Sequence, residues 1–284
     1  MRYKILLPTD FSKNSMKAIN YARALYKNEY CDFVLLNVFS ATSNLLESFI
    51  YMEPGSELYE TAKLNSENGL AKFYDMIAMS DDDNPKHTFE VMSKFNNVLD
   101  AIKQVVEQKD IEMIIMGTKG ETDSSTTPFG STAVKVMEKV RNCPVIVVPQ
   151  HAKIELPKEI VFPTSYKTHF KRRELNFLTK IAKQCNASIV VLHVEQKNEL
   201  DNQQKQNKQL LEEILDGTNF KFHNLSHHSV LTAVNIFVES RSSNMVAFIN
   251  KKHAFFGSIL TNALVKEISF HVSVPILAMH DLRN

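Results

Sequence analysis

Cysteine is scarce in this sequence. The three thiols, Cys31, Cys143 and Cys185, are scattered and odd in number, with no CxxC pair. That argues against a disulfide framework and fits free, buried thiols in a reducing compartment. Apolar runs are short. None approaches the ~18 residues needed to span a bilayer, and Met1-Arg2-Tyr3-Lys4-Ile5 leads straight into a strand-like segment rather than a secretory leader. The expected location is the cytoplasm. Excess charge is also missing: 33 Lys and Arg face 32 Asp and Glu, a net +1. Neither a nucleic acid nor an anionic membrane is advertised as a partner. No Gly-Lys-Ser/Thr occurs, which removes a Walker-type kinase or ATPase.

What is present suits a globular chain, 44% apolar and 23% charged, and its 284 residues are enough for two ordinary domains. Residues 1–150 hold 16 basic and 20 acidic side chains (net −4), leaving 17 and 12 (net +5) in 151–284. At most this would help two halves dock, because exposed charges are screened within about 10 Å.

Apolar runs alternate with helical periodicity. Lys4 to Pro8, Phe33 to Phe39, Thr88 to Met92, Ile111 to Met116 and Val145 to Val148 read as strands. Between them, Ser12 caps a helix to about Asn28. Further helices run over Glu57 to Met79, Asn97 to Gln108 and Thr132 to Arg141. Asp81-Asp82-Asp83-Asn84-Pro85 reads as a solvated turn. Continuous rather than alternating apolar strands call for a parallel sheet covered on both faces.

The unit is then written again. Glu159-Ile-Val-Phe-Pro-Thr-Ser165 echoes Lys4 to Asp10, and Ile189 to Val194 echoes Phe33 to Val38. Asn244 to Asn250 echoes Glu112 to Gly117, and Val274-Pro-Ile-Leu-Ala echoes Cys143-Pro-Val-Ile-Val. The expected fold is α/β, two tandem doubly wound domains of five parallel strands each. They cover 1–150 and 151–284 and are joined by the short polar segment Pro149 to Pro157. The Asn/Gln/Lys-rich stretch from Glu199 to Asn207 should start the helix that matches Glu57 to Met79.

One stretch carries chemistry. After Met116 the first half reads Gly117-Thr118-Lys119-Gly120, then nine polar or turn-prone residues, then Gly130-Ser131-Thr132 opening a helix. Strand, loose loop and helix N-terminus suit an anion. The first N–H groups of a helix lack intrahelical partners, and the helix dipole favours negative charge there. Gly130 removes a side chain where a phosphate would approach, Ser131 adds a hydroxyl, and Lys119 adds a point charge. Gly117 and Gly120 are read as allowing positive φ.

Gly117-x2-Gly120-x9-Gly130-Ser131 resembles the ATP-binding signature of the universal stress protein family, and the echoes extend the resemblance over nearly the whole chain. The resemblance implies two domains in pseudo-twofold packing through their last strands, Val145–Val148 and Pro275–Met279. It implies ATP as ligand, with Asp10 on the adenine or ribose and the backbone of Val38 reading the adenine edge. Met116, Gly117, Lys119 and Gly120 would line the triphosphate, and Gly130, Ser131 and Thr132 would donate to it. Glu121 and Asp123 could meet Mg2+ beside the phosphates, and the hydroxyls of Thr122 to Thr127 are candidate autophosphorylation sites.

The second half departs from the pattern. Ser165 stands for Asp10, Asn250 for Gly117, and His253 lies near the Gly120 position. Phe256-Gly257-Ser258 resembles Phe129-Gly130-Ser131, but the interval to the following proline lands on Thr261 instead. This copy is expected to bind no ATP and to serve as a structural partner. His223, His227 and His228 lack zinc spacing and are read as surface or edge-strand residues. The expected partners are thus an adenine nucleotide and the chain's own second half, with a homodimer allowed.

No catalytic base stands beside the loop, so ATP is expected as a regulatory ligand with slow or no hydrolysis. An ATPase or autophosphorylating enzyme, and a scaffold with an empty site, are the alternatives. Adenylyl transferases of the ATP-pyrophosphatase type carry glycines after the first strand, and Pro8-Thr9-Asp10-Phe11-Ser12 has none.

Overall fold

The computed structural model describes residues 2–40, 53–80, 84–118, 130–195, 199–227, 229–250 and 274–280. In the first half the strands are β1 (Tyr3–Pro8), β2 (Cys31–Phe39), β3 (His87–Phe95), β4 (Met113–Gly117) and β5 (Val145–Val148). They alternate with helices α1 (Lys13–Leu25), α2 (Glu57–Ala78), α3 (Val98–Lys109) and α4 (Ser131–Lys139). The second half adds strands β6 (Glu159–Pro163), β7 (Ser188–Glu195), β8 (Asn219–Ser226), β9 (Met245–Asn250) and β10 (Ile276–His280). Its described helices are α5 (Arg172–Cys185), α6 (Asn202–Leu215) and α7 (Val230–Arg241).

Helix starts follow local chemistry. Ser12, Ser56, Asn97 and Ser229 each accept an N–H from the first turn, and Asp201 closes a capping box with Gln204. Of the boundaries that differ from the sequence reading, two differ by three residues. Helix α1 stops at Leu25, three residues early. Strand β3 runs well beyond Thr88 to Met92, because this edge strand carries polar residues that periodicity undercounts.

All ten strands form one sheet in the order β3-β2-β1-β4-β5-β10-β9-β6-β7-β8. Each half is parallel and follows one path: first strand central, second and third outward, fourth and fifth on the other side. The halves meet where β10 pairs antiparallel with β5, Ile276 facing Val147 and Ala278 facing Val145. A pseudo-twofold axis therefore runs through the seam. Among the helices, Gln184 of α5 donates its side-chain amide to the Leu25 carbonyl at the end of α1.

Core packing divides by sheet face rather than by half. Ile5, Leu7, Leu35, Ile115, Ile146, Leu277, Phe162 and Val191 lie on one face with Leu70, Leu175 and Leu211 from α2, α5 and α6. Leu6, Leu36, Ile114, Val147, Ile276, Val246 and Val161 lie on the other with Ile102, Val136 and Val234 from α3, α4 and α7. Alternate strand residues point to opposite faces, so both cores cross the seam. Each buried Val, Leu or Ile contributes about 1.5–3 kcal/mol, which makes separating the halves costly.

One glycine of the motif has a packing role. Gly117 does not adopt positive φ, contrary to the sequence reading. Its missing side chain lets α1 approach β4: a Cβ here would lie 2.8 Å from Asn14 Nδ2 and 3.1 Å from the Asn14 backbone carbon. Asn14 in turn donates to Thr118 Oγ1 at 3.1 Å. Gly117→Ala should therefore cost about 1–3 kcal/mol in urea denaturation. Adding Asn14→Ala should not restore the loss, because the backbone contact remains; full recovery would show that only the side chain clashes.

Tyr166 is fully buried, and its hydroxyl has no hydrogen-bond partner among the described residues. Burial pushes its phenol up from the ordinary tyrosine range. An unpartnered buried hydroxyl is a net cost, so Tyr166→Phe should raise stability by about 1 kcal/mol at unchanged urea m-value. A loss of that size would mean the hydroxyl has found a partner in solution.

Candidate functional site

In an open α/β sheet the crevice for ligands opens beyond the strand C-termini, where successive strands turn to opposite sides. In the first half that switch point lies between β1 and β4, since β2 and β3 go one way and β4 and β5 the other. Two connections flank it: Thr9 to Ser12 after β1, and the segment from Thr118 to Gly130 after β4.

The β1 connection is tightly built. Thr9 N–H bonds the Leu36 carbonyl at 2.8 Å, and Thr9 Oγ1 accepts from Phe11 N at 3.0 Å. Phe11 sits in the left-handed region with φ 66°. For a side chain with a Cβ this costs on the order of 1–2 kcal/mol. The ring offsets it by packing edge-on to Phe73, 5.2 Å between centroids, and by lying over Gly69, where a Cβ would meet ring carbons at 2.4 Å. Asp10 precedes it and is exposed. Its Oδ1 accepts Ser12 N–H at 3.1 Å, so one carboxylate oxygen serves the turn.

Beneath the turn runs a chain of buried polar groups. Asn37 Nδ2 donates to the Thr9 carbonyl at 2.7 Å, Ser66 Oγ to Asn37 Oδ1 at 2.7 Å, and Ser66 Oγ lies 2.7 Å from Ser93 Oγ. The network links β1, β2, β3 and α2 under the mouth. Sequence reasoning missed these residues, and Asn14 and Thr118 with them. A signal existed: Asn37 interrupts an otherwise apolar strand, where a polar group must find a partner.

The β4 connection returns to its own start. Gly130 N–H donates to the Thr118 carbonyl at 2.6 Å, and Thr118 N–H bonds the Val148 carbonyl at 3.2 Å. The first residue past β4 and the start of α4 are therefore in contact. Gly130 is the N-cap of α4, with φ −69° and ψ 156°, and, being glycine, has no side chain with which to cap the helix. Ser131 and Thr132 are exposed in the first turn. First-turn N–H groups, which have no intrahelical partner, and the positive end of the helix dipole make this place suited to negative charge.

Of the sequence-derived site residues, Asp10 lies on the first connection, Gly117 ends β4, Gly130 closes the second connection, and Ser131 and Thr132 open α4. Val38 is half-buried near the end of β2, two residues beyond the β1–β2 ladder. Met116 is buried on the α3–α4 face of the sheet, so only its backbone faces this end of the strand. Lys119 and Gly120 lie outside the described residues, as do Glu121, Asp123 and the Thr122–Thr127 hydroxyls. So do Asp81 to Asp83, His228, His253, Phe256 to Ser258 and Thr261.

The second half repeats the scaffold with different groups. Tyr166 takes the Phe11 position, again left-handed at φ 57°. His193 stands where Asn37 does, its Nδ1 2.9 Å from the Thr164 carbonyl, and its ring lies 5.0 Å from that of Tyr166. Asn207 donates to the Tyr166 carbonyl at 2.7 Å. Elsewhere, His223 lies on edge strand β8 with its ring 5.5 Å from Phe237, and His227 Nδ1 accepts Ser229 N–H at 2.9 Å. Burial pushes the Cys31 thiol up to about 12 and Cys185 to about 11, and raises Cys143 as well. At neutral pH none is a thiolate nucleophile. No helix among the described residues is long and apolar enough to cross a membrane.

Comparison with known proteins agrees with this architecture. A universal stress protein from Archaeoglobus fulgidus DSM 4304 superposes with a TM-score of 0.72 at 17% identity, over 97% of this chain and 95% of that one. A functionally unknown protein from Pseudomonas aeruginosa PAO1 gives 0.62 at 10% identity, over 98% and 92%. The cytoplasmic domain of a prokaryotic cation chloride cotransporter gives 0.52 at 12% identity, over 99% and 96%. At such identities the likeness is one of fold. A search of curated proteins finds no match. The model of the universal stress protein family matches residues 1–149. With 149 of its 284 residues matched, the chain belongs to the universal stress protein family.

Proposed function

We propose that the first domain, residues 1–150, binds ATP as a regulatory ligand in a stress response, and that residues 151–284 form a degenerate copy that binds none. The observation that carries this reading is the return of the β4 connection onto itself. Gly130 N–H reaches the Thr118 carbonyl, which sets the N-terminus of a helix, with a glycine as its N-cap, against the switch point of the sheet. Main-chain donors of Ser131 and Thr132 would hold phosphate oxygens there, with the Ser131 hydroxyl beside them. Asp10, whose Oδ1 accepts Ser12 N–H, would accept from the ribose or adenine. Val38 would present its backbone to the base. Lys119 and Gly120 would cover the phosphates, with Mg2+ beside Glu121 and Asp123. Bound ATP supplies a polyanion that draws these two connections together, and output runs through that conformation or a protein partner rather than through turnover.

The second copy keeps the left-handed turn but not the motif. Ser165 replaces the acidic residue, and by strand register Ile249, rather than the expected Asn250, fills the position of Gly117.

Two measurements decide the matter. Mass spectrometry of small molecules released on denaturing the purified chain should find an adenine nucleotide, and titration with ATP should saturate at one per chain. Gly130→Asp should abolish both. Aspartate is a favoured N-cap and its charge suits the helix dipole, so this variant should keep its thermal stability while its carboxylate occupies the anion position. A wild-type chain indifferent to ATP, a second equivalent bound, or a Gly130→Asp variant that binds normally would overturn the reading.

A further inference from the structure

A polar residue at the mouth end of the second half makes a contact in the first. Asn250 ends β9 and is buried. Strand register sets Ile249 at the place Gly117 holds on β4 and Asn250 one residue beyond it, where the first half has Thr118, which corrects the sequence reading. Its side-chain Nδ2 donates to the main-chain carbonyl of Met137 at 3.2 Å. Its own carbonyl accepts from Arg141 Nη2 at 2.9 Å. Both partners lie across the seam. Met137 is in the last turn of α4, and Arg141 follows the helix.

The last carbonyls of a helix have no intrahelical donor. In α4 the Val136 carbonyl is taken by Val140 N–H at 3.1 Å, and the next carbonyl, that of Met137, receives Asn250. Asn250 therefore caps α4 from the other domain. This is the helix whose opposite end presents Gly130, Ser131 and Thr132. It is nine residues long, about 13 Å, well below the length that holds in isolation. Its position depends on its apolar face, on the Gly130–Thr118 bond at one end and on Asn250 at the other. Because β10 runs antiparallel to β5, the C-terminal end of β9 arrives beside the chain leaving α4.

We infer that Asn250 is a positioning residue: it fixes the C-terminal end of α4 and, through that short rigid helix, the donors at Gly130 to Thr132. A residue at the end of the second domain's fourth strand thus braces the anion site of the first. The ligand in this inference rests on the nucleotide reading above; the bracing of α4 does not.

The test uses the full chain and separates the two. Hydrogen exchange of the ligand-free protein is compared for wild type, Asn250→Ala and the isosteric Asn250→Asp, and Mg-ATP is titrated into each. In Asn250→Ala, exchange across residues 131–140 should speed up about three- to tenfold, the worth of one buried hydrogen bond, with α1 and α3 unchanged. The dissociation constant for ATP should weaken by a comparable factor. Asn250→Asp should do worse, because it sets an acceptor against the Met137 carbonyl; a packing role alone would not separate it from asparagine.

Arg241→Ala, which breaks the ion pair with Glu159 near the opposite end of the strand, serves as control for general destabilisation. It should leave residues 131–140 and ATP affinity as in wild type. If Asn250 variants do not fold, Arg141→Met removes the second bond and should give a smaller effect of the same kind. Unchanged exchange in 131–140, faster exchange at unchanged ATP affinity, or the same pattern in Arg241→Ala would overturn the inference. If wild type binds no ATP, the nucleotide reading falls and the exchange data alone decide whether Asn250 braces α4.

Discussion

The antiparallel pairing of β5 with β10 is the contact on which the rest of the molecule depends. Each half ends in a short strand, Val145–Val148 or Ile276–His280, whose residues are buried throughout. Alone, either would present an open, apolar edge, the kind of surface that recruits a neighbouring chain. Paired, the two edges vanish into one ten-stranded sheet and both cores run through without a break. The same pairing decides which ends of the domains meet. Because the strands oppose one another, the mouth end of the second domain lies beside the exit of α4, and Asn250 finds Met137 and Arg141 there.

The two copies solve one backbone problem with different side chains. Both turn out of the first strand through a left-handed residue, Phe11 or Tyr166, and both bond the carbonyl before it from the second strand, through Asn37 or His193. In the first copy the polar chain continues to Ser66 and Ser93 under the mouth. In the second, aromatic rings of Tyr166, His193 and Phe222 gather in the corresponding place. The turn is a demand of the fold and persists. The polar floor beneath it differs, along with the glycines above it.

Much of this was legible beforehand. Buried strands are continuous apolar runs, so nine of the ten appear in the sequence reading, and β3 was curtailed because it lies at an edge and mixes in polar residues. The cap at Ser12 is local chemistry and falls where the residue type puts it. The repeat pointed to tandem domains, and the family resemblance to their joining through the last strands. The site was legible as a motif but not as a set of contacts. Gly117 was read for its backbone freedom, whereas its absent side chain makes room for Asn14, a partner more than a hundred residues distant along the chain.

What the amino-acid order determined by itself is what short range decides: strand and helix periods, caps, the doubling of the unit, and the glycines and serine around one connection. Only the tertiary structure decided what long-range proximity decides: which polar groups in apolar segments pair, why Phe11 bears a strained backbone, and how the halves brace each other. Asn250 shows the difference most plainly. The sequence reads it as a lost glycine, a place that strand register gives to Ile249; in the folded chain it caps a helix of the other domain, because hydrogen-bond partners are chosen by distance in space and periodicity reports only distance along the chain.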